Sequence, residues 1–267
     1  MRRINKIKLF VNDNEKSCVV AKDLELELVK YGFKIVKKNY DLAISIGGDG
    51  SFLRMIKDNN FNDKIYYIGI NCGTLGFLQE IDLNTTLDFV KRLNSNKFKI
   101  EELGIQETKV ITENDVKIYE SLNEVVLRNI EFNTLKLPVY VEGELLERFT
   151  GDGILISTST GSTAYNMSFG GSIVYNTLKT LQITPIAPLN NKCFRTLNNS
   201  VIIPGDKVIS LVPEKEYDDL FLSVDGVNHT IKDAIKVESK IGAKTIKCLR
   251  MNDFHFIKVI NNKILER

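Results

Sequence analysis

The sequence predicts two domains, an N-terminal α/β layer structure followed by a β-rich domain. Two observations carry this prediction. Up to about residue 100, short continuous apolar runs alternate with segments whose apolar residues recur at helical spacing. Beyond that point, apolar and polar residues alternate with period two, and EG, GD and DG pairs punctuate the runs as turns. At 267 residues, the chain is long enough for two domains.

The N-terminal half has the pattern of alternating strands and helices. After the strand INKIKLFV, Ser17 can cap a helix through VVAKDLELELVKYG, with Gly32 at its C-terminal end. The strand LAISI, a glycine turn and a second helix follow, and then the strand IYYIGI and the helix TTLDFVKRL. Fully apolar strands linked by helices imply a parallel sheet covered on both faces. We therefore expect a Rossmann-like α/β domain over residues 1–100.

The C-terminal half has the pattern of short strands. They are KVIT, KIYESLNEVVLR, LPVYVEGELLERF, SVIIPGDKVISLVP, DLFLSVDGVNHTI and AIKVESKI. Among them, GSTAYNMSFGG, residues 161–171, has a helical pattern. We expect a β-rich domain over residues 101–250, and a C-terminal segment, 251–267, that packs back on the N-terminal domain.

Composition excludes several classes of protein. The 36 basic and 34 acidic side chains are interspersed and leave a net charge of +2, so the chain lacks the basic stripe of a nucleic-acid-binding protein. Apolar runs are too short for a membrane span or a signal peptide, which predicts a cytoplasmic protein. Four scattered cysteines and two histidines suggest neither a disulfide framework nor a protein metal site.

The turn GGDG, residues 47–50, ends an apolar strand, at the point where parallel sheets bind ligands. Its glycines and the helix N-terminus that follows suit a phosphate, although no GxxxxGK[ST] or GxGxxG motif is present. Asp49 conflicts with this, since two unit charges about 4 Å apart repel by roughly 4 kcal/mol at a dielectric constant near 20. A Mg²⁺ between them, or a sugar hydroxyl facing the carboxylate, would remove the conflict, and both fit phosphoryl transfer. Alternatively, Asp49 bonds only its own turn.

Two further stretches carry candidate binding residues. NCGTLGFLQE, residues 71–80, follows the next strand and should open at the same sheet edge, where Leu75 and Phe77 could line an apolar slot or simply pack in the core. In SLNEVVLR, Asn123 and Glu124 could bind ribose hydroxyls, or they could be the polar residues of an edge strand.

The densest stretch of small polar residues is FTGDGILISTSTGSTAYNMSFGG, residues 149–171. Its hydroxyl-bearing and acidic residues stand among five glycines, where a polar ligand could approach the backbone closely. The candidates are Asp152, Thr160, Ser162, Thr163, Tyr165 and Ser168. A capping loop rich in hydroxyls is the alternative.

Together these stretches resemble the ATP-dependent NAD kinase family. The matching pieces are SIGGDGSFL, NCGTLGFL, LNEVVL, the GDG to STSTGSTAYNMSFGG block and ITPIAPLNNKCFRTL, in that order along nearly the whole chain. The resemblance implies a C-terminal β-sandwich-like domain and a homotetramer or homodimer. It also implies Mg²⁺-dependent transfer of the ATP γ-phosphate to the 2′-hydroxyl of the adenosine ribose of NAD, which forms NADP.

The resemblance also assigns roles to individual residues. Asp49 would be the base that activates the ribose hydroxyl, and Asn123 and Glu124 would hold ribose hydroxyls. The complete cofactor-binding set that it implies is Gly50, Phe77, Asn123, Glu124, Arg148, Asp152, Thr163, Ala164, Tyr165, Ser168 and Asp225. No residue is assigned to a metal. The alternatives are a lipid kinase of the diacylglycerol or sphingosine type, which shares a GGDG-like loop, and a non-catalytic NAD-binding sensor.

Overall fold

The computed structural model describes residues 3–73, 76–131, 133–214 and 219–265. Leu75, one of the two residues proposed for an apolar slot, lies outside them. The chain divides into unit 1, Met1–Leu103 with Thr245–Arg267, and unit 2, Gly104–Lys244.

The elements of the first part of the chain alternate between strand and helix. They are β1 (Lys6–Val11), α1 (Glu15–Lys30), β2 (Lys34–Ile35), β3 (Leu42–Gly47), α2 (Asp49–Asp58), β4 (Tyr66–Asn71), β5 (Ile81–Asp82), a 3₁₀ turn (Leu83–Thr85) and α3 (Thr86–Asn94).

The remaining elements are mostly strands. They are β6 (Phe98–Thr112), β7 (Val116–Ser121), β8 (Glu124–Asn129), β9 (Leu135–Val141), β10 (Glu144–Gly151), β11 (Gly153–Thr158), a 3₁₀ turn (Thr160–Thr163), α4 (Tyr165–Ser168), β12 (Thr180–Ile186), β13 (Val201–Pro204), β14 (Ile209–Leu211), β15 (Asp219–Val224), β16 (Val227–Lys232), β17 (Ala234–Met251), α5 (Phe256–Ile260) and a π-helical turn (Asn261–Leu265). The predicted domain boundaries, near residues 100 and 250, fall inside the long strands β6 and β17, which run from one unit into the other.

Unit 1 contains a parallel sheet with the strand order β2, β1, β3, β4, β17. Alternate residues of β3 share one apolar cluster with residues of α1 and α3, while Ala43 and Ser45 between them are buried outside that cluster. The helix α2 contacts β3 and buries Phe52, Met55 and Ile56, which are also outside that cluster. Helices therefore cover both faces of the sheet, which explains its continuous apolar strands.

The helix α1 begins earlier than the sequence predicts. Asn14, not Ser17, is the N-cap, because its extended backbone (φ −151°) lets its side chain accept the N–H of Ser17 at 2.8 Å. Ser17 instead lies buried in the first turn. Gly32 follows the C-cap residue Tyr31 with φ +85°, the left-handed conformation that glycine adopts freely at a helix end.

The predicted glycine turn is shorter than four residues. Gly47 is the last residue of β3, Gly48 is the N-cap of α2, and Asp49 is already the first helical residue. The carboxylate of Asp49 therefore stands at the positive end of the helix dipole, at the carboxyl end of a parallel strand.

Unit 2 is built from two antiparallel sheets. One has the order β10, β9, β14, β17, with β6 beside β17 and β7 beside β6, and the other has the order β13, β12, β11, β8, β15, β16. Leu137 and Val237 from the first sheet and Leu127 and Ile156 from the second lie in one apolar cluster. This is the packing of a β-sandwich, with side chains from two inner faces forming one core.

The helix predicted over residues 161–171 is interrupted and shorter. A 3₁₀ turn and α4 are separated by Ala164, whose backbone (ψ −133°) is not helical. The helical conformation ends after Ser168, because Gly170 takes a positive φ of +73°.

Candidate functional site

In unit 1, the side chain of Asp49 joins the two glycine loops. Its Oδ2 accepts the backbone N–H of Phe77 at 2.8 Å, and its Oδ1 accepts that of Leu78 at 3.0 Å. Gly76 makes this approach possible, since a Cβ there would stand only 3.1 Å from Asp49 Oδ1. The second glycine loop thus contributes its backbone amides to Asp49, and Phe77 takes part through its N–H.

The pKa of Asp49 is raised. Burial is the largest cause, and the backbone N–H groups of Phe77, Leu78 and Gln79 and the charge of Lys263 oppose it. A carboxylate offers about four lone-pair sites, one more than these three amides can occupy. Asp49 can therefore accept a further hydrogen bond, and its raised pKa makes it a stronger base than an exposed aspartate.

Gln79 is a residue of this site that sequence reasoning missed. It is buried, and its Nε2 donates to the backbone oxygen of Gly48 at 2.6 Å and to Ser45 Oγ at 3.3 Å. A Cβ on Gly69 would lie 1.8 Å from Gln79 Oε1, so the side chain occupies the space that this glycine leaves in β4. In the sequence, the signal that could have indicated this close approach was Gly69 itself, a glycine in the middle of an apolar strand.

The described residues do not build a magnesium cage. No group of three or more His, Cys, Asp or Glu side chains that could hold a metal ion occurs among them. Both oxygens of Asp49 already accept backbone amides. A Mg²⁺ ion usually keeps several waters and binds through substrate phosphates with one or two carboxylates. These residues fit such an ion only if a nucleotide supplies most of its ligands.

In unit 2, Asp225 organises the backbone that carries Asn123 and Glu124. Its Oδ2 accepts the N–H of Leu122 at 2.7 Å, and its Oδ1 accepts the N–H of Asn123 at 2.8 Å and that of Glu124 at 3.2 Å. The following residue, Gly226, has φ +76°, which completes the tight turn between β15 and β16. The carboxylate of Asp225 is therefore engaged with the chain itself.

Asn123 and Glu124 carry polar atoms that the described chain leaves unsatisfied. Both residues are buried, and neither Asn123 Oδ1 nor Glu124 Oε2 has a hydrogen-bond partner in the described ranges. Burial raises the pKa of Glu124 to about 8, the charge of Asp225 adds to the rise, and the backbone N–H of Tyr165 opposes it. Such groups normally find partners, so their state indicates a place for a polar ligand.

The TGST turn is held directly against this segment. Thr158 donates from Oγ1 to the oxygen of Leu122 at 2.6 Å, and it accepts the N–H of Gly161 at 3.0 Å. A Cβ on Gly161 would stand 2.1 Å from the backbone oxygen of Asn123, so only glycine fits there. Thr163, buried in this turn, donates to the oxygen of Thr160.

Tyr165 and Ser168 lie exposed on α4, and Ala164 before them is half-buried. Tyr165 is 43% exposed, and its ring meets that of Phe169 edge to face, with centroids 4.8 Å apart. Arg128, another residue that sequence reasoning missed, places Nη2 3.5 Å from the Tyr165 hydroxyl and its guanidinium 5.7 Å from the Phe169 ring. A flat ligand could stack on the exposed ring of Tyr165.

The structure brings part of the predicted set together and leaves part aside. Asn123, Glu124 and Asp225 form one cluster with the TGST turn. Arg148 is exposed on β10 opposite Pro138, and Asp152 is exposed between β10 and β11. In the part of the chain that the structure describes, neither side chain is hydrogen-bonded to that cluster. Gly50 is exposed in the first turn of α2.

Comparison with known proteins identifies two matching family models. The ATP-NAD kinase N-terminal domain matches residues 6–98, and the ATP-NAD kinase C-terminal domain matches residues 122–245. The chain is 34% identical to the NAD kinase of Lactobacillus delbrueckii subsp. bulgaricus over 263 residues, which are 97% of this chain and 98% of that protein. It is 40% identical to the NAD kinase of Finegoldia magna over 210 residues, which are 77% of each chain.

Solved structures agree on the fold. Yeast NADH kinase complexed with NADH superposes with a TM-score of 0.86 at 21% identity, over 99% of this chain and 88% of that one. An NAD kinase from Archaeoglobus fulgidus in complex with ATP gives a TM-score of 0.73 at 19% identity, over 98% and 99%. These likenesses confirm the predicted fold class, an α/β domain with a β-sandwich-like domain.

Proposed function

This chain belongs to the ATP-NAD kinase family, and we propose that it transfers the γ-phosphoryl group of ATP to the 2′-hydroxyl of the adenosine ribose of NAD, forming NADP. The family and the class of phosphotransferase are those that the sequence predicts, and both are confirmed. The observation that carries the mechanism is Asp49, a half-buried carboxylate of raised pKa at the carboxyl end of β3.

Asp49 is the proposed general base. The backbone amides of Phe77 and Leu78 hold its carboxylate in one orientation, and the carboxylate keeps a lone pair for the ribose hydroxyl. As the hydroxyl oxygen bonds to the γ-phosphorus, the bond from phosphorus to the oxygen of the β-phosphate breaks and ADP leaves. The hydroxyl proton passes to Asp49, which the raised pKa favours.

Asn123 and Glu124 are the proposed ribose ligands. At neutral pH, a carboxyl with a pKa near 8 is largely protonated, so it can donate one hydrogen bond and accept another. Asn123 Oδ1 is buried without a partner in the described ranges and can accept from a second hydroxyl. Tyr165 would pack against a ring of the cofactor.

The roles of the other assigned residues are proposals as well. Phe77 and Gly50 would contact the substrate beside Asp49, and Asp225 would act by holding the backbone of residues 122–124. The remaining members of the set are Arg148, Asp152, Thr163, Ala164 and Ser168. We also propose that ATP brings the Mg²⁺ ion, whose charge would neutralise the phosphates when it is bound.

The assembly and the location of the protein are proposals as well. We propose that the protein forms a homotetramer or homodimer and that it carries out NADP biosynthesis in the cytoplasm. Within the described ranges, no helix combines the length and the apolar character needed to cross a membrane. The lipid-kinase alternative is not favoured, since both family models are of NAD kinases. A non-catalytic sensor could dispense with the carboxylate at position 49, which this chain retains.

The test is direct. Purified protein is incubated with NAD, ATP and Mg²⁺, and NADP is then measured with an NADP-specific dehydrogenase. We expect NADP to form in proportion to enzyme and time. If folded protein produced no NADP with ATP, another nucleoside triphosphate or polyphosphate, the proposal would be wrong.

A further inference from the structure

We infer that Gln79 is a positioning residue for the phosphoryl transfer and acts through Asp49; this inference rests on the proposed function. Gln79 belongs to the second glycine loop of unit 1, and its side chain reaches the first. Its side-chain amide donates to the oxygen of Gly48, the N-cap residue of α2, at 2.6 Å, and to Ser45 Oγ at 3.3 Å. Its position therefore couples the carboxyl ends of β3 and β4.

Gln79 acts on both partners of the contact between the Asp49 carboxylate and the amides of Phe77 and Leu78. At one end, its amide holds the residue immediately before Asp49. At the other end, Gln79 follows Phe77 and Leu78, whose N–H groups bind the carboxylate, and its own N–H also lowers the pKa of Asp49. Removing the amide donor therefore takes away one of the bonds that hold the first turn of α2 against the loop that orients the carboxylate.

The packing shows that this side chain has a defined place. Gln79 is only 4% exposed, and its Oε1 is buried with no hydrogen-bond partner among the described residues. That oxygen lies 1.8 Å from where a Cβ on Gly69 would be, and the Cα of Gln79 lies 3.1 Å from the same point. A buried oxygen without a hydrogen-bond partner costs stability. The contribution of this side chain therefore comes from the two hydrogen bonds that its Nε2 donates.

The variant Gln79→Met tests the inference, because methionine has a similar shape but no donor. We expect kcat to fall by about 10-fold or more, as for a small misplacement of a catalytic group, while KM for NAD changes by less than about two-fold. Gln106→Met is the matched control. Gln106 is also fully buried and donates from Nε2 to a hydroxyl, Ser239 Oγ, at 2.7 Å, and among the described residues its side chain forms no hydrogen bond with a proposed site residue.

A second comparison separates positioning from general destabilisation. In an Asp49→Asn background, Gln79→Met should lower kcat by less than about two-fold further, because its effect passes through the carboxylate. A full additional loss would overturn the inference, and so would an unchanged kcat in the single variant. Equal losses in Gln79→Met and Gln106→Met would overturn it as well.

Hydrogen exchange supplies a readout that does not need activity. The amides of Phe77 and Leu78 should exchange faster in Gln79→Met than in the wild-type chain, and the control should leave them unchanged. If the wild-type chain forms no NADP, the proposed function fails, and exchange alone decides the role of Gln79. Unchanged exchange at these two amides would then overturn the inference.

Discussion

Replacing Asp49 by asparagine removes the proposed base with the least change in shape. Asparagine keeps one oxygen, so it can still accept the N–H of either Phe77 or Leu78. In the wild-type chain, these two nitrogens lie 2.8 Å and 3.0 Å from the carboxylate oxygens of Asp49. It cannot take a proton from a hydroxyl at neutral pH. The variant therefore separates the chemistry of the carboxylate from most of its contacts.

Two effects set the size of the stability change. Losing one amide bond to a charged acceptor costs about 1.5–3 kcal/mol. Against this, the raised pKa of Asp49 means that burial of its charge outweighs the amides that stabilise it, and the neutral side chain escapes that penalty. We expect the free energy of unfolding to fall by less than about 3 kcal/mol, below the ~5–15 kcal/mol of a typical domain.

The effect on turnover should be much larger. Loss of a general base lowers kcat by about 10²- to 10⁴-fold, whereas KM for NAD should change little, since Asn123, Glu124 and Tyr165 remain. The coupled NADP assay gives kcat and KM, and urea denaturation gives the free energy of unfolding.

Asp41→Asn is the matched control for this experiment. Asp41 is a buried carboxylate that, like the half-buried Asp49, accepts two backbone N–H groups, those of Asn5 at 3.0 Å and Lys6 at 2.9 Å. It precedes β3, whereas Asp49 follows it, and a strand of this length separates them by about 20 Å. Asp41→Asn should cost stability and leave kcat unchanged. A kcat for Asp49→Asn within 10-fold of the wild-type value would refute the role of Asp49 as base.

Two further predictions concern buried charge. Because the pKa of Glu124 is raised to about 8, its ionisation opposes folding, so stability should fall as pH rises from about 4.5 to about 8. Glu124→Gln should remove that part of the slope in melting temperatures measured across this range, and an unchanged slope would contradict it. Arg250→Met leaves Glu80 and Glu101 buried without their cation and should cost about 3–5 kcal/mol in urea denaturation at pH 8. The loss of unfolding free energy should be smaller at pH 6, because Glu80, with a pKa of about 7, is then largely protonated and needs no cation. An equal loss at pH 6 and pH 8 would be inconsistent with an ion pair between Arg250 and Glu80.

Several features of the fold were predictable from local pattern. Continuous apolar runs such as LAISI indicated a parallel sheet covered on both faces, and period-two alternation after residue 100 indicated a β-rich domain. Helix ends were less predictable. Asn14 and Ser17 are both good N-cap residues, and the choice depended on which backbone became extended.

In the candidate site, too, some features follow from local sequence and others only from tertiary packing. The sequence by itself determined that a carboxylate, Asp49, stands between a strand and a helix, and that Asn123 and Glu124 interrupt an apolar run, because strand ends and periodicity are local properties. Only the tertiary structure decided what these groups contact. The amides that orient Asp49 are 28 and 29 residues away, and Asp225 holds Leu122 across 103 residues. Gln79 belongs with them, since its role depends on the space that Gly69 leaves on a neighbouring strand. Such contacts form only when distant segments pack together, and no local pattern in the chain specifies which partner each group meets.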